Sequence, residues 1–364
     1  MGVGVAVVGC GTISVEYLRN LTSFPDLDVL VCADLDPERA RARAEEHGVP
    51  VWGPPETAYT HPDVEIVVNL TIPAAHAEVS HAAIAAGRHV WSEKPLTTDP
   101  ESARTLLLRA AEAGVAVGCA PDTVLGAGAQ SAARLVADGR IGVPATALTL
   151  MQTPGPESWH PDPEFLFRRG AGPLFDMGPY YLTLLAWLFG PVTRVAAVGR
   201  RSRTHRTIGS GPRAGSVFEV EVPTHVSALV EYRDGPAATM VISFDSPLLR
   251  AGFVEVTGSE ATLEVPDPNR FDGTLRLRPP FSDDWSALPS TGTTATRGIG
   301  VLELARAVRA GASPRASGEV ALHVLETMHA IHTSIDSGEF VTVESGFSAP
   351  TPLPEDWDPF ARTL

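Results

Sequence analysis

A chain of 364 residues is longer than one hydrophobic core usually organises, so two domains are expected. Its 44% apolar and 20% charged residues are the composition of an ordinary globular protein, not of a disordered or fibrous one. The 28 Lys and Arg stand against 43 Asp and Glu, and the resulting formal charge of −15 argues against nucleic acid and anionic membrane surfaces as partners.

Residues 3–119 alternate strand-like and helix-like segments. Val3–Val8 reads as a buried strand, followed by a helix from about Thr12 to Asn20. Val29–Ala33 is a second strand, and Asp36-Pro37-Glu38 then opens a helix that runs to Gly48, with Asp as the cap and Pro at the first position. Glu65–Leu70 is a third strand; Ala74–Ala86 is a helix closed by Gly87. Arg88–Ser92, a helix from Asp99-Pro100 to Gly114, and Val115–Cys119 complete the series. Continuous apolar strands alternating with helices imply a parallel sheet covered on both faces, a Rossmann-type α/β domain over residues 1–122.

Beyond Asp122 the pattern changes. A helix at about Gly126–Asp138 leads into alternating segments at 145–151, 192–199, 217–232, 236–244, 252–264 and 273–278, which predict a large, mostly antiparallel open sheet. Helices at about Thr296–Ala310 and Ser317–Asp336 close a second, α+β domain over 123–345, and 346–364 reads as a tail. The three cysteines, Cys10, Cys32 and Cys119, lie in separate strand-like segments without metal-ligand spacing, which suggests a reducing, cytoplasmic setting and no metal site. The apolar start lacks a charged leading region and reads as fold, not signal peptide; the stretch 178–192 is too short to span a bilayer.

Gly9-Cys-Gly11-Thr-Ile-Ser14 is a glycine fingerprint placed between the first strand and the first helix, with Ser14 at the third glycine position. Gly9 permits the tight turn, Gly11 lets the backbone approach a pyrophosphate, and Thr12 and Ile13 open a helix end that favours phosphate. Asp34 ends the second strand 20 residues after Ser14, where a carboxylate accepts ribose hydroxyls and repels a 2′-phosphate. NAD is therefore expected ahead of NADP, although Arg39 is near enough in sequence to serve a phosphate. Thr71 and Pro73 end the third strand and line the same crevice; His76 is either a cofactor contact or a residue of the first helical turn.

Glu93-Lys94-Pro95 follows the fourth strand, which delivers Lys94 to the crevice where such sheets hold ligands and makes an enzyme the leading reading. Glu93 is a candidate cofactor contact beside it. Farther on, Asp176 and Tyr180 are four residues apart at the head of an apolar helix, with Pro179 expected in its first turn. They share one face of that helix, or else serve as a cap and a buried aromatic. Ser158-Trp159-His160-Pro161-Asp162-Pro163 is either a substrate loop suited to a polyhydroxylated ligand or a proline-stiffened surface loop.

Taken together, the fingerprint at 9–14, Thr71-Ile-Pro-Ala-Ala-His76, Ala85-Ala-Gly-Arg-His-Val-Trp-Ser-Glu-Lys-Pro-Leu96 and Asp176-Met-Gly-Pro-Tyr180 resemble the glucose-fructose oxidoreductase, inositol dehydrogenase and rhizopine-catabolism family (Gfo/Idh/MocA) over nearly the whole chain. The resemblance implies a Rossmann domain followed by an open-sheet domain that builds a homodimer or homotetramer. It also implies Lys94 as catalytic lysine, a cis bond before Pro95, and Asp176 as the second-domain acid. Many relatives carry histidine four residues after that acid; Tyr180 here is similar to the branch with glucose-fructose oxidoreductase and the dihydrodiol dehydrogenases.

The chemistry that follows is oxidation of a secondary alcohol of a sugar, cyclitol or related polyol. A tyrosine hydroxyl titrates near ~10 in water, and a neighbouring ammonium favours its phenolate. Tyr180 is thus expected to exchange the proton beside Lys94 and Asp176, with direct proton transfer by Lys94 left open. The alternatives are a dihydrodiol or xylose dehydrogenase, a sugar oxidoreductase with tightly held cofactor, and a non-catalytic dinucleotide or sugar sensor on the same fold.

Overall fold

The structure is a computed structural model that describes residues 2–364. In chain order its elements are β1 (Val3–Val8), α1 (Ser14–Leu21), β2 (Leu27–Ala33), α2 (Pro37–His47), β3 (Val51–Gly53), α3 (Pro55–Thr60), β4 (Ile66–Asn69), α4 (His76–Ala85), β5 (His89–Ser92), α5 (Pro100–Ala113), β6 (Val117–Cys119) and α6 (Ala127–Ala137). They continue as β7 (Pro144–Gln152), α7 (Gly172–Phe189), β8 (Val192–Arg200), β9 (His205–Thr207), β10 (Val217–Glu219), β11 (His225–Tyr232), β12 (Ala237–Ser243), β13 (Arg250–Gly258), β14 (Thr262–Val265), β15 (Thr274–Arg278), β16 (Ser286–Pro289), α8 (Ile299–Arg309), α9 (Gly318–Ser337) and β17 (Val341–Thr342). The chain divides into two units, one of residues up to Gln130 with Thr291–Leu325 and Pro350–Leu364, the other Ser131–Ser290 with Glu326–Ala349.

In the first unit six parallel strands pair in the order β3-β2-β1-β4-β5-β6. Every residue of β1 and β4 is buried, as a sheet covered on both faces requires. Strand order reverses between β1 and β4, which opens a crevice at their carboxyl ends. The helix signals act locally as their chemistry dictates. Asp36 accepts the Glu38 and Arg39 N–H groups to start α2, Asp99 accepts Ser102 N–H to start α5, and Gly48 and Gly114 end these helices at φ 68°. The sequence expectation has no counterpart for β3 and α3, and several boundaries shift by one or two residues. Helix α1 starts at Ser14 and not Thr12, because Gly11–Ile13 form the turn, and a short 3₁₀ turn at Pro73–Ala75 precedes α4.

Residues beyond the expected boundary at 122 also build this unit. Helix α8 crosses over Trp91 so closely that a Cβ at Gly300 would sit 1.9 Å from the indole. The end of the chain is fastened too: Thr363 and Leu364 donate backbone N–H groups to Asp26 at 2.8 and 2.9 Å, and Arg306 reaches the same carboxylate at 2.8 Å. Arg306 also lies over the Trp357 ring at 4.7 Å, so residues 350–364 are packed structure and not a loose tail.

The second unit is built on nine strands in the order β16-β15-β14-β13-β7-β12-β11-β8-β17, all neighbours antiparallel except β7 with β12. Two predicted segments prove to be pairs of strands. Pro223, which has no N–H for a ladder, separates β10 from β11, and β10 pairs with β9 in a small sheet of its own. The 252–264 segment folds into the β13–β14 hairpin. Helix α7 packs on β7, β11 and β12, burying every residue from Gly178 to Phe189. Pro179 is inside α7 and not in its first turn; Pro173 takes the early position, and burial of the helix body outweighs the hydrogen bond Pro179 forgoes. The sheet's other face carries a cross-strand row, Leu148-Thr239-Leu229, with Leu148 36% and Leu229 51% exposed.

Candidate active site

The fingerprint loop is shaped by the contrasting demands on its two glycines. Gly9 has φ 96°, and a Cβ there would lie 2.7 Å from the Leu70 carbonyl and Thr71 nitrogen, so only glycine makes this turn. A Cβ at Gly11 would meet nothing within 4 Å; the space beside that backbone is open. Ser14 is fully buried and its hydroxyl donates to Gly11 O at 2.7 Å, which ties the loop to α1 and fills the third glycine position with a small side chain. Thr12 and Ile13 sit at the rim, exposed and half-buried.

Asp34 ends β2 nearly buried. One carboxylate oxygen accepts the Cys10 N–H at 2.7 Å and the other the Asp36 N–H at 2.9 Å, so the acid braces the loop. The half-exposed Arg39 guanidinium stands 3.5 Å from it. An open glycine backbone at a helix N-terminus, with a carboxylate after the next strand, is a donor and acceptor set that a nicotinamide dinucleotide would fit, with Gly9–Ile13 toward its pyrophosphate and Asp34 toward its adenosine ribose.

At the ends of β4 and β5 the side chains interlock. Asn69 accepts from the Thr71 hydroxyl at 2.6 Å, and Pro73 is exposed on the following turn. His76 is 1% exposed, with Nδ1 2.6 Å from Pro95 O and Nε2 3.1 Å from Thr71 O. Burial lowers its pKa while the two carbonyls, which only accept, pull it up, and in the neutral ring the single N–H donates to one of them. The Lys94–Pro95 bond is cis, as the resemblance implied. Glu93 accepts the Tyr17 hydroxyl at 2.9 Å on one oxygen and the Lys94 N–H at 2.9 Å on the other. Next to it, fully buried Asp122 accepts Gly298 N–H at 2.7 Å and pairs with Arg297 at 3.3 Å. Burial raises the Asp122 carboxyl, and Arg297 and the Gly298 N–H oppose the rise. Sequence reasoning missed Tyr17, Trp91, Asp122 and Arg297; only the spacing of Trp91 two residues before Glu93 hinted at them.

In the second unit Asp176 and Tyr180 lie one turn apart inside α7, Asp176 half-buried and Tyr180 8% exposed. Asp176 is four residues beyond the helix start and is therefore no cap. Trp159 is 68% exposed, its ring 5.5 Å from that of His160, which in turn meets Phe165 at 5.5 Å. Below this loop Arg206, almost fully buried, pairs with Glu157 and Asp245 and donates to Pro154 O at 3.1 Å and Phe244 O at 2.8 Å. The predicted substrate loop is thus anchored at its start by an ion cluster of Glu157, Asp245 and Arg206 of β9. Among the described residues no group of three or more His, Cys, Asp and Glu is gathered for a metal, and no helix is long and apolar enough to cross a membrane.

Residues 3–120 match the oxidoreductase family with an NAD-binding Rossmann fold, and residues 129–264 match the GFO/IDH/MocA C-terminal domain. The chain is 25% identical over 342 residues to D-xylose 1-dehydrogenase (NADP(+)) 2 of Haloferax volcanii, covering 93% of this chain and 99% of that protein. It is 27% identical to inositol 2-dehydrogenase 3 of Saccharopolyspora erythraea, covering 78% and 80%. In fold it is similar to an NAD-binding oxidoreductase from Klebsiella pneumoniae (TM-score 0.83, 24% identity, 95% and 100% covered). A levoglucosan dehydrogenase in complex with NADH and levoglucosan is similar to the same degree (TM-score 0.82, 19% identity, 94% and 100% covered). On its two matched domains, the chain belongs to the GFO/IDH/MocA family and is an NAD(P)-dependent oxidoreductase.

Proposed function

We propose that the protein is an NAD-dependent dehydrogenase that oxidises a secondary alcohol of a sugar, cyclitol or related polyol. The observation that carries the cofactor choice is Asp34, whose carboxylate ends β2 beside the open backbone of Gly11. The substrate class rests on relatives named for xylose, apiose and inositol. Gly9, Gly11, Thr12 and Ile13 receive the pyrophosphate, and Thr71 and Pro73 line the crevice. His76 and Glu93 act as braces, His76 beside the Pro95 and Thr71 carbonyls and Glu93 between Tyr17 and the Lys94 N–H.

Bound nicotinamide supplies a hydride acceptor for the substrate carbon. The chain's own residues then handle the proton and the charge: Tyr180 takes the hydroxyl proton, Lys94 stabilises the negative charge that develops on the substrate oxygen, and Asp176 positions a neighbouring hydroxyl. A route with Lys94 itself as base is the second possibility. Trp159 offers a ring face, and His160 a hydrogen-bonding edge, to a polyhydroxylated ligand. A dihydrodiol substrate is a second reading, favoured by Tyr180 and by 25% identity over 268 residues to the pig trans-1,2-dihydrobenzene-1,2-diol dehydrogenase.

The three buried, unpaired cysteines suit a cytoplasmic protein, and the exposed Leu148-Thr239-Leu229 row suits a homodimer or homotetramer. The test is NADH absorbance after mixing NAD with aldoses, inositols and a dihydrodiol. Lys94→Ala and Tyr180→Phe should each collapse turnover while NAD still binds. Undiminished turnover in Lys94→Ala overturns the assignment, and a protein that binds NAD and sugar without any absorbance change is a sensor.

A further inference from the structure

Behind the backbone of Lys94 stands a chain of three hydrogen-bonding groups within the first unit. The Trp91 indole N–H donates to the Tyr17 hydroxyl at 3.3 Å, that hydroxyl donates to Glu93 Oε1 at 2.9 Å, and Glu93 Oε2 accepts the Lys94 N–H at 2.9 Å. Tyr17 and Trp91 are both fully buried. Burial first, and the Glu93 carboxylate second, push the Tyr17 hydroxyl well above its ordinary range, so it remains a donor at any working pH.

The start of this chain cannot slide. The Trp91 ring is boxed in by two glycines, Gly118 and Gly300, at which a Cβ would lie 2.7 and 1.9 Å from it. Gly298 lies at ordinary packing distance from the Tyr17 ring, a Cβ there falling 3.6 Å from Tyr17 Cδ1. Rigid packing therefore sets where the hydroxyl points, and the hydroxyl sets where the carboxylate points. A phenylalanine at 17 would fill the same core volume, so packing alone gives no reason for the oxygen.

We propose that Tyr17 is a positioning residue for the reaction: through the Glu93 carboxylate it fixes the backbone from which the Lys94 side chain departs. This rests on Lys94 being the catalytic lysine, and the experiment separates the two ideas. Tyr17→Phe, Glu93→Ala, the double variant and Lys94→Ala are compared for kcat, KM, NAD affinity and thermal unfolding. Tyr17→Phe should lower kcat roughly ten- to a hundredfold, the scale of a small misplacement of a reacting group, with NAD affinity unchanged. In the Glu93→Ala background the same change should cost nothing further, because its effect runs through that carboxylate.

Wild-type kcat in Tyr17→Phe, with Lys94→Ala inactive, overturns the positioning role and leaves Lys94 in place. Full activity in Lys94→Ala overturns the reading beneath it. A loss in Tyr17→Phe that is equally large without Glu93 makes the hydroxyl structural and also overturns the proposal. Should Tyr17→Phe not fold, Glu93→Ala alone, which removes both carboxylate oxygens, tests the same relay from its other end: a kcat loss like that expected of Tyr17→Phe supports it, and wild-type kcat overturns it.

Discussion

The two glycines of the fingerprint can be told apart by one methyl group each. At Gly9 an added Cβ would meet backbone atoms at 2.7 Å, and the φ of 96° is strained for any L side chain. Backbone strain of that kind costs about 1–3 kcal/mol before the contact with Leu70 and Thr71 is counted. Gly9→Ala should therefore lower the unfolding temperature of the free protein. At Gly11 the added methyl meets nothing within 4 Å, so Gly11→Ala should leave the free protein as stable as the parent. Its cost should appear only with cofactor, because the methyl takes the space through which a pyrophosphate approaches. Overpacking of about 1–3 kcal/mol weakens NAD binding roughly ten- to a hundredfold. The assay is thermal unfolding with and without NAD, paired with a calorimetric titration. Parental NAD affinity in Gly11→Ala would refute the placement of the pyrophosphate; parental stability in Gly9→Ala would refute the argument from the turn.

Removing the carboxylate in Asp34→Ser, with Arg39 retained, should raise the preference for NADP over NAD by about tenfold or more, as an acceptor of ribose hydroxyls is lost and a nearby cation is freed. An unchanged ratio of the two kcat/KM values would remove Asp34 from cofactor choice. Acid stability should depend on Asp26: burial alone would raise this carboxyl, but hydrogen bonds from Thr363, Leu364 and Arg306 outweigh it and hold it down from 3.8 to about 2. A depressed folded-state value stabilises above the unfolded one, so about 2 kcal/mol is present near neutral pH and is lost as pH falls from about 4 to about 2. In urea titrations the gap between the parent and Asp26→Asn should close across that window; a gap that stays constant down to about pH 2 would sink the reasoning.

Much of the cofactor half was readable along the chain because its determinants are local. The caps Asp36 and Asp99, the glycines that end α2 and α5, and the turn at Gly9 act within a few residues of themselves. Apolar runs such as Val3–Val8 likewise announce a strand buried on both faces. The boundaries that shifted did so where tertiary packing competes with local preference. Pro179 lies within α7 because the surrounding core holds that helix, and the 217–232 segment breaks at a proline that no periodicity could weigh.

What the sequence determined by itself was therefore the alternation of strands and helices, the glycine turn, and the identity of Lys94, Asp176 and Tyr180 as chemically capable groups. Tertiary structure decided which groups share a hydrogen bond. Tyr17 and Glu93 are separated by 76 residues and Asp122 and Gly298 by 176, and only folding brings them within reach. The physical reason is that capping and turn formation are properties of adjacent backbone, whereas a hydrogen bond or ion pair between distant segments exists only once the core has fixed both partners in place.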